Sequence, residues 1–282
     1  MLVSAYANGA TAGSPPPPRN HDNDAPRKNI TGWSKDASRR NTRFLYSVET
    51  PGLTGVGAAL TLTVKDLPPS AAEWQLMRRA WLARCRRAGA IRAHWVVEWQ
   101  RRGHPHLHVA VYWPEGTPEP SALGLPVVWW LNVASEYGAS WEGQDGKLID
   151  GPLGWLQYLS KHAARGAAHY QRSGHPPGWE KTGRLWGHVG TWPVGEPMRF
   201  DMRGPAYWRY RRLVRSWRVA QARSAGDARR IGYARRMLSC NEPNLSAVRG
   251  VSEWVSESVA LEFIGLLVAE GHPVSQRFPL DP

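Results

Sequence analysis

The sequence predicts an α+β protein built on an antiparallel sheet, and three observations carry that prediction. "GAALTLTV" (57–64) alternates Leu60, Leu62 and Val64 with Thr61 and Thr63, the period-two pattern of a half-buried strand. "PSAAEWQLMRRAWLARCRRAGA" (69–90) switches to helical spacing, with Trp74, Met77, Trp81 and Cys85 on one face. Two further apolar runs, "IRAHWVVEWQ" (91–100) and "HLHVAVYW" (106–113), are separated only by "RRGHP", so they read as a hairpin.

The elements follow in order. Residues 1–43 are rich in Pro, Gly, Ser, Asn and charge, with "SPPPP" at 14–18; they lack periodicity and read as a disordered arm, basic over 27–43. The helix after the first strand has a start signal in Ser70 and Glu73, at capping-box spacing, and a stop signal in Gly89. Its polar face, with Arg78, Arg79, Arg86 and Arg87, reads as solvated. "LGLPVVWWLNVASEYG" (123–138) reads as a buried helix ended by Gly138, and "KLID" (147–150) as a short strand. A helix over 152–166 comes next, then strands in "GRLWGHVGTWPV" (183–194) and "EPMRFDM" (196–202). Basic helices follow from Pro205, and "SEWVSESVALEFIGLLVAEG" (252–271) reads as an amphipathic helix. The organisation expected is an arm at 1–43, a catalytic-sized domain at 44–204 and a helical C-terminal region at 205–282.

The bulk composition narrows the partners. The 282 residues carry 36 Lys and Arg against 23 Asp and Glu, a formal charge of +13. Such a balance fits a polyanion, nucleic acid first and an anionic membrane surface second. Residues 199–236 hold twelve arginines and two aspartates, which favours phosphate contact there. No apolar run reaches the ~18–20 residues of a membrane span, and the N-terminus has no secretory pattern. Cys85 and Cys240 make neither a disulfide framework nor a metal knuckle, which fits a reducing cytoplasm. Most of the 16 tryptophans should be core, with some free to stack on bases.

Chemistry concentrates in the hairpin and in the helix over 152–166. Side chains two apart on a strand share a face, so His106 and His108 point one way, and Leu107 and Val109 the other. With the turn centred near Gly103, Glu98 falls opposite His108 and Gln100 opposite His106, all on one face. Two imidazoles and a carboxylate make three ligands for a divalent metal; the bland alternative is a carboxylate that merely orients a histidine. On a helical wheel Leu153, Leu156, Ala163 and Ala167 gather on one side, and Tyr158, Lys161, His162 and Arg165 on the other. That places a phenol in a positive field. A phenol can attack phosphorus and conserve the energy of the cleaved bond in a phosphotyrosine.

"ALTLTV" (59–64), "WVVEWQRRGHPHLHV" (95–109), "YLSKH" (158–162) and "GRLWG" (183–187) occur in this order. Together they resemble the motifs of HUH-superfamily rolling-circle replication initiators of single-stranded DNA phages and small plasmids, the filamentous-phage type most closely. The resemblance covers roughly residues 55–200. It implies a ferredoxin-like arrangement of antiparallel sheet and helices. It implies that His106, His108 and Glu98 hold Mg²⁺ or Mn²⁺; imidazole ligands by themselves suit Mn, Zn or Fe better than Mg. Tyr158 would nick one strand of origin DNA, remain on the 5′ phosphate and release a 3′ hydroxyl primer. Lys161 would position DNA or water, or stabilise the developing charge. Position 162 is His, so the single-tyrosine type is implied, and Tyr170 reads as a packing residue. His104 reads as solvent-exposed and His162 as structural.

Single-stranded and origin DNA are the expected substrates. Without a phosphate-binding G-x-x-x-x-G-K-[ST] loop, strand separation falls to a host helicase and synthesis to a DNA polymerase. Other classes stay open at this stage. A non-catalytic DNA-binding regulator would use the same charge only to grip phosphates. A metal hydrolase would need further ligands that are not evident nearby. A related transposase or relaxase shares the motifs, but relaxases usually place the Tyr first, and the Arg-rich C-terminal region weighs against a minimal transposase.

Overall fold

The computed structural model describes residues 1–13, 30, 32–164, 170–236 and 251–278. The architecture is α+β, with two five-stranded antiparallel sheets. The chain divides into two compact units: Ala25–Leu45 with Glu49–Pro193, and Met1–Asp24 with Tyr46–Val48 and Val194–Pro282. The first and last parts of the chain build one unit.

In the larger unit the strands are β3 (Val56–Thr63), β4 (Arg92–Trp99), β5 (Pro105–Trp113), β6 (Asp145–Leu148) and β7 (Trp186–Gly190), ordered β6-β3-β5-β4-β7. Helix α2 (Ala71–Arg87) connects β3 to β4, and α3 (Leu125–Val133) connects β5 to β6. The first four strands therefore make the split β-α-β-β-α-β of a ferredoxin-like sheet, with β7 added beside β4. The Ser70 hydroxyl accepts from the Glu73 amide at 3.2 Å, capping α2 as the sequence predicts. Trp74, Met77, Trp81 and Cys85 are all buried, and Trp74 and Trp81 meet Trp130 of α3 edge-on. Gly138 takes φ +64 just beyond the α3 region, at the stop the sequence predicts.

Alternation assigns the two faces of this sheet. Leu60, Leu62, Trp95, Val97, Leu107, Val109 and Val111 share one face, and α2 lies against it where Arg78 covers Trp95. Thr61, His94, Val96, Glu98, His106 and His108 share the other. Helix α1 (Lys35–Ser47) reaches that second face: Asn41 Oδ1 lies 2.8 Å from His94 Nε2, and Phe44 stacks on His94 and His188.

In the other unit β1 (Leu2–Tyr6) and β2 (Gly9–Gly13) form a hairpin inside the sheet β10-β8-β1-β2-β9, with β8 Met198–Met202, β9 Val251–Glu253 and β10 Val274–Arg277. Helices α6 (Gly204–Ser224) and α8 (Glu257–Ala269) pack on it, and α7 (Ala228–Arg236) packs on α6. Ala260, Phe263, Ile264 and Leu267 of α8 are buried at i, i+3, i+4 and i+7.

Several expectations change. The arm read over 1–43 contains β1, β2 and most of α1, while residues 14–29 and 31 lie outside the described residues. Small side chains hid the hairpin: Ala5, Ala10 and Ala12 are buried but carry little strand propensity. Arg78 is buried, not solvated, because its guanidinium lies on Trp95. The helix read over 252–271 begins at Glu257, preceded by β9.

Candidate active site

The β4–β5 turn sets the site. The Gly103 amide donates to the Gln100 carbonyl at 2.9 Å, the Gln100 amide to the His104 carbonyl at 2.8 Å, and Gly103 takes φ +80. Trp99 then pairs with Pro105, so Glu98 stands opposite His106 and Val96 opposite His108. The register expected from sequence, with Glu98 opposite His108 and Gln100 opposite His106, differs from this by two residues. A slip of two conserves side-chain parity, so Glu98 keeps its face. Gln100 leaves the strand for the turn and accepts from Arg102 Nε at 2.7 Å.

Glu98, His106 and His108 are buried, and one donor atom from each lies within 4.8 Å of the others. His106 Nε2 and His108 Nε2 are 2.7 Å apart, and Glu98 Oε2 is 3.7 Å from His108 Nε2. On the far side of the ring, His108 Nδ1 is 3.1 Å from Thr61 Oγ1. If Nδ1–H donates to Thr61, the Nε2 lone pair is turned to the cluster, the tautomer a metal ligand needs. The donor set fits a divalent ion: the carboxylate suits Mg²⁺ and Mn²⁺, and the two imidazole nitrogens suit softer ions such as Fe²⁺ or Zn²⁺.

Helix α4 (Pro152–Ala164) places Tyr158 at this cluster, its ring centroid 5.8 Å from the His108 ring and nearly perpendicular to it. Trp155 stacks on Tyr158 at 5.0 Å. Tyr158 is 37% exposed, so its ring stands beside His108 in an accessible position. The helix is anchored by Leu156 and Leu159, both buried, whereas Leu153 of the expected apolar side is 41% exposed. Lys161 follows one turn after Tyr158 in α4; its side chain and those of His162 and Tyr170 lie outside the described residues, as does Arg165. His104 sits half-buried in the turn, outside the cluster, its pKa lowered by burial and then by Arg102.

Arg172, unforeseen from the sequence, also belongs here. It lies in the short helix α5 (Tyr170–Ser173), 2% exposed, with Nη2 3.8 Å from Glu98 Oε1 and Cζ 3.9 Å over the Trp33 ring. Trp33 in turn donates from Nε1 to the Val97 carbonyl at 2.9 Å. The carboxylate is therefore held between a guanidinium and an imidazole. No spacing rule links position 172 to position 98, and Trp33 falls in the segment that reads as an arm.

Comparison with known proteins adds three findings. The family profile of the replication-associated protein ORF2, or gene 2 protein, matches residues 57–170. A putative replication protein of Xylella fastidiosa (strain 9a5c) is 51% identical over 98% of this chain and 99% of its own length, and one of strain Temecula1 is 50% identical over 90% and 99%. The replication-associated protein of Pseudomonas phage Pf3 is 45% identical over 87% of this chain and 89% of its own. No solved structure matches.

Proposed function

The chain belongs to the replication-associated protein family of ORF2 and the gene 2 protein, and from that premise we propose that it initiates replication by nicking origin DNA through Tyr158. The Tyr158 oxygen attacks the scissile phosphorus in line, forming the Tyr–O–P bond as the P–O3′ bond breaks. The phenol gives up its proton, and the departing 3′ oxygen takes one up to become a 3′ hydroxyl. Reversal on a second 3′ hydroxyl rejoins strands without an added energy source.

The observation that carries this reading is the convergence of Glu98, His106, His108 and the Tyr158 ring on one sheet face. A Mg²⁺ or Mn²⁺ ion held by those three ligands would withdraw charge from the phosphate and orient it. The chain's own residues prepare the rest. Thr61 fixes the His108 ring, Arg172 holds the Glu98 carboxylate, and the Trp155 stack limits the swing of Tyr158. Lys161, one turn after Tyr158 in α4, would supply positive charge. A phenol with an ordinary pKa of about 10 needs such help near neutrality. The 3′ hydroxyl serves a host DNA polymerase, a host helicase opens the duplex, and the work takes place in the cytoplasm of a bacterial host. Among the described residues no helix is long and apolar enough to cross a membrane.

The test is a covalent one. Wild-type protein with labelled single-stranded origin DNA and Mn²⁺ should give an adduct that survives a denaturing gel. Tyr158→Phe should give none, and EDTA should prevent it. An adduct that persists in Tyr158→Phe moves the nucleophile elsewhere, and salt-sensitive binding with no adduct in wild type makes the chain a regulator.

A further inference from the structure

The opposite face of the same sheet holds a cleft that the nicking reaction does not use. Helix α2, β4 and the chain entering β7 border an open cleft of about 530 Å³, lined by Gln75, Arg78, Arg79, Arg86, Trp95 and Arg184 among others, with no carboxylate in the lining. Among the lining residues Arg78 is 6% exposed, with Cζ 4.5 Å over the Trp95 ring. Arg78 donates from Nε and Nη2 to Gln75 Oε1 at 3.0 and 2.7 Å. Gln75 is locked in turn, donating to the carbonyls of Thr182 and Arg184 at 3.1 and 3.2 Å.

The "GRLWG" stretch (183–187) acquires a physical reason here. Gly183 takes φ +69, and a Cβ on it would come 3.1 Å from the Gln75 side chain. A Cβ on Gly187 would press into the Trp95 ring at 2.5 Å. The two glycines thus let the chain close on Gln75 and Trp95, and Arg184 between them adds charge to the rim.

The electrostatics are one-sided. Burial, followed by the charges of Arg79 and Arg184, pushes Arg78 down to about 10. Among the described residues no carboxylate stands within ion-pair distance of Arg78, Arg79, Arg86 or Arg184. A guanidinium so far withdrawn from water is costly without an opposing charge, and an anionic ligand supplies it. Planar guanidinium groups suit phosphate oxygens. Trp95 is 3% exposed and covered by Arg78, so the cleft offers charge and no platform for stacking a base.

We propose that this cleft grips a backbone phosphate of the DNA strand at a point separate from the scissile phosphodiester. The charge class comes from the cleft; the choice of DNA rests on the replication reading above. A grip on the far face would hold the strand, without regard to its sequence, while the tyrosine acts on the near one.

The experiment uses the full chain in EDTA, where no nicking occurs, and a fluorescent single-stranded oligonucleotide of about 40 nucleotides at salt from about 50 to 200 mM. Arg79 and Arg184 are exposed, so Arg79→Gln/Arg184→Gln should fold normally. Loss of the one phosphate contact should flatten the slope of log K against log[salt] by about 0.7, and affinity should fall several-fold. Arg79→Lys/Arg184→Lys should restore most of both. A wild-type slope in the Gln pair, or no recovery in a folded Lys pair, overturns the proposal. Saturable binding of a free deoxynucleoside triphosphate that the Gln pair abolishes, with an unaltered slope on the oligonucleotide, overturns the choice of a DNA strand. The nicking reading fails separately: wild type that makes no adduct with Mn²⁺, together with a flattened slope in the Gln pair, refutes that reading and leaves the cleft standing.

Discussion

The two five-stranded sheets differ in how many polar residues they bury, and of which kind. The ferredoxin-like sheet buries Arg92, His94, Glu98, His106 and His108 on a single face. The sheet of the other unit turns Val3, Ala5, Ala12, Phe200 and Met202 to a core of Tyr207, Tyr210, Val214, Phe263 and Leu267. In that unit Arg277 with Asp201 and Arg209 with Glu270 pair at exposed positions, while Glu253 of β9 is the exception, buried beside Arg218. Burying polar groups is unfavourable unless each is matched, so a face with several of them adds little to stability.

His106→Leu separates nicking from stability most sharply. It removes a proposed ligand and leaves a side chain of similar bulk on a buried strand position. Adduct formation should fall by about three orders of magnitude, equivalent to about 4 kcal/mol. Unfolding free energy should stay within about 1 kcal/mol of wild type, or rise. Paired gel and denaturant measurements check both. A large loss of stability with nicking intact would make this face structural and erase the contrast.

Legibility in the sequence follows the same division. The ferredoxin-like sheet is readable because alternation and helical period are local signals, and the face shared by Glu98, His106 and His108 depends only on parity. Register is not readable, because the turn geometry at Gln100–His104 decides it. The other sheet is mostly hidden. Leu2 of β1 pairs with Asp201 of β8, a partner about two hundred residues away, and no local pattern reports such a pairing. The one local clue is Asn8-Gly9 between short apolar runs, a hairpin signal inside a segment whose composition resembles a tail. Arg172 and Arg78 escape for a different reason: charged residues are normally exposed, and only the tertiary fold shows Trp33 and Trp95 covering them.

Acid should act chiefly on the polar face, with a smaller effect than the substitution. Burial, and then His188, lowers His94 from 6.5 to about 3. Above 6.5 folded and unfolded chains both carry it neutral, and it adds no pH dependence. Between 6.5 and about 3 only the unfolded chain takes the proton, so stability falls with pH by up to about 1.4 kcal/mol per unit. At pH 5 the loss from this group is about 2 kcal/mol. His188 shifts in the same direction, again through burial first. The unit built on the apolar sheet has no buried histidine among its described residues. Denaturant midpoints at pH 7 and pH 5 should therefore differ, and His94→Gln should narrow the gap. Equal stability at the two values would show that His94 accepts its proton within the fold.

The smallest effect should come from the charges of the apolar sheet. Arg277 donates from Nε and Nη2 to the two Asp201 oxygens at 2.8 and 3.0 Å, across the β8–β10 pairing. The geometry is bidentate, but the side chains are 49% and 36% exposed, so water screens the attraction and ordering a long side chain offsets part of it. Arg277→Gln should cost no more than about 1 kcal/mol, and less as salt rises. The apolar contacts of β8 and the ladder from Val274 to Arg277 remain in the variant. Thermal unfolding at low and high salt reads the difference. A loss above about 2 kcal/mol, insensitive to salt, would mean that the pair holds the edge strand in place. Charge would then bear structural weight in the apolar sheet too, and burial alone would no longer distinguish a functional polar group from a structural one.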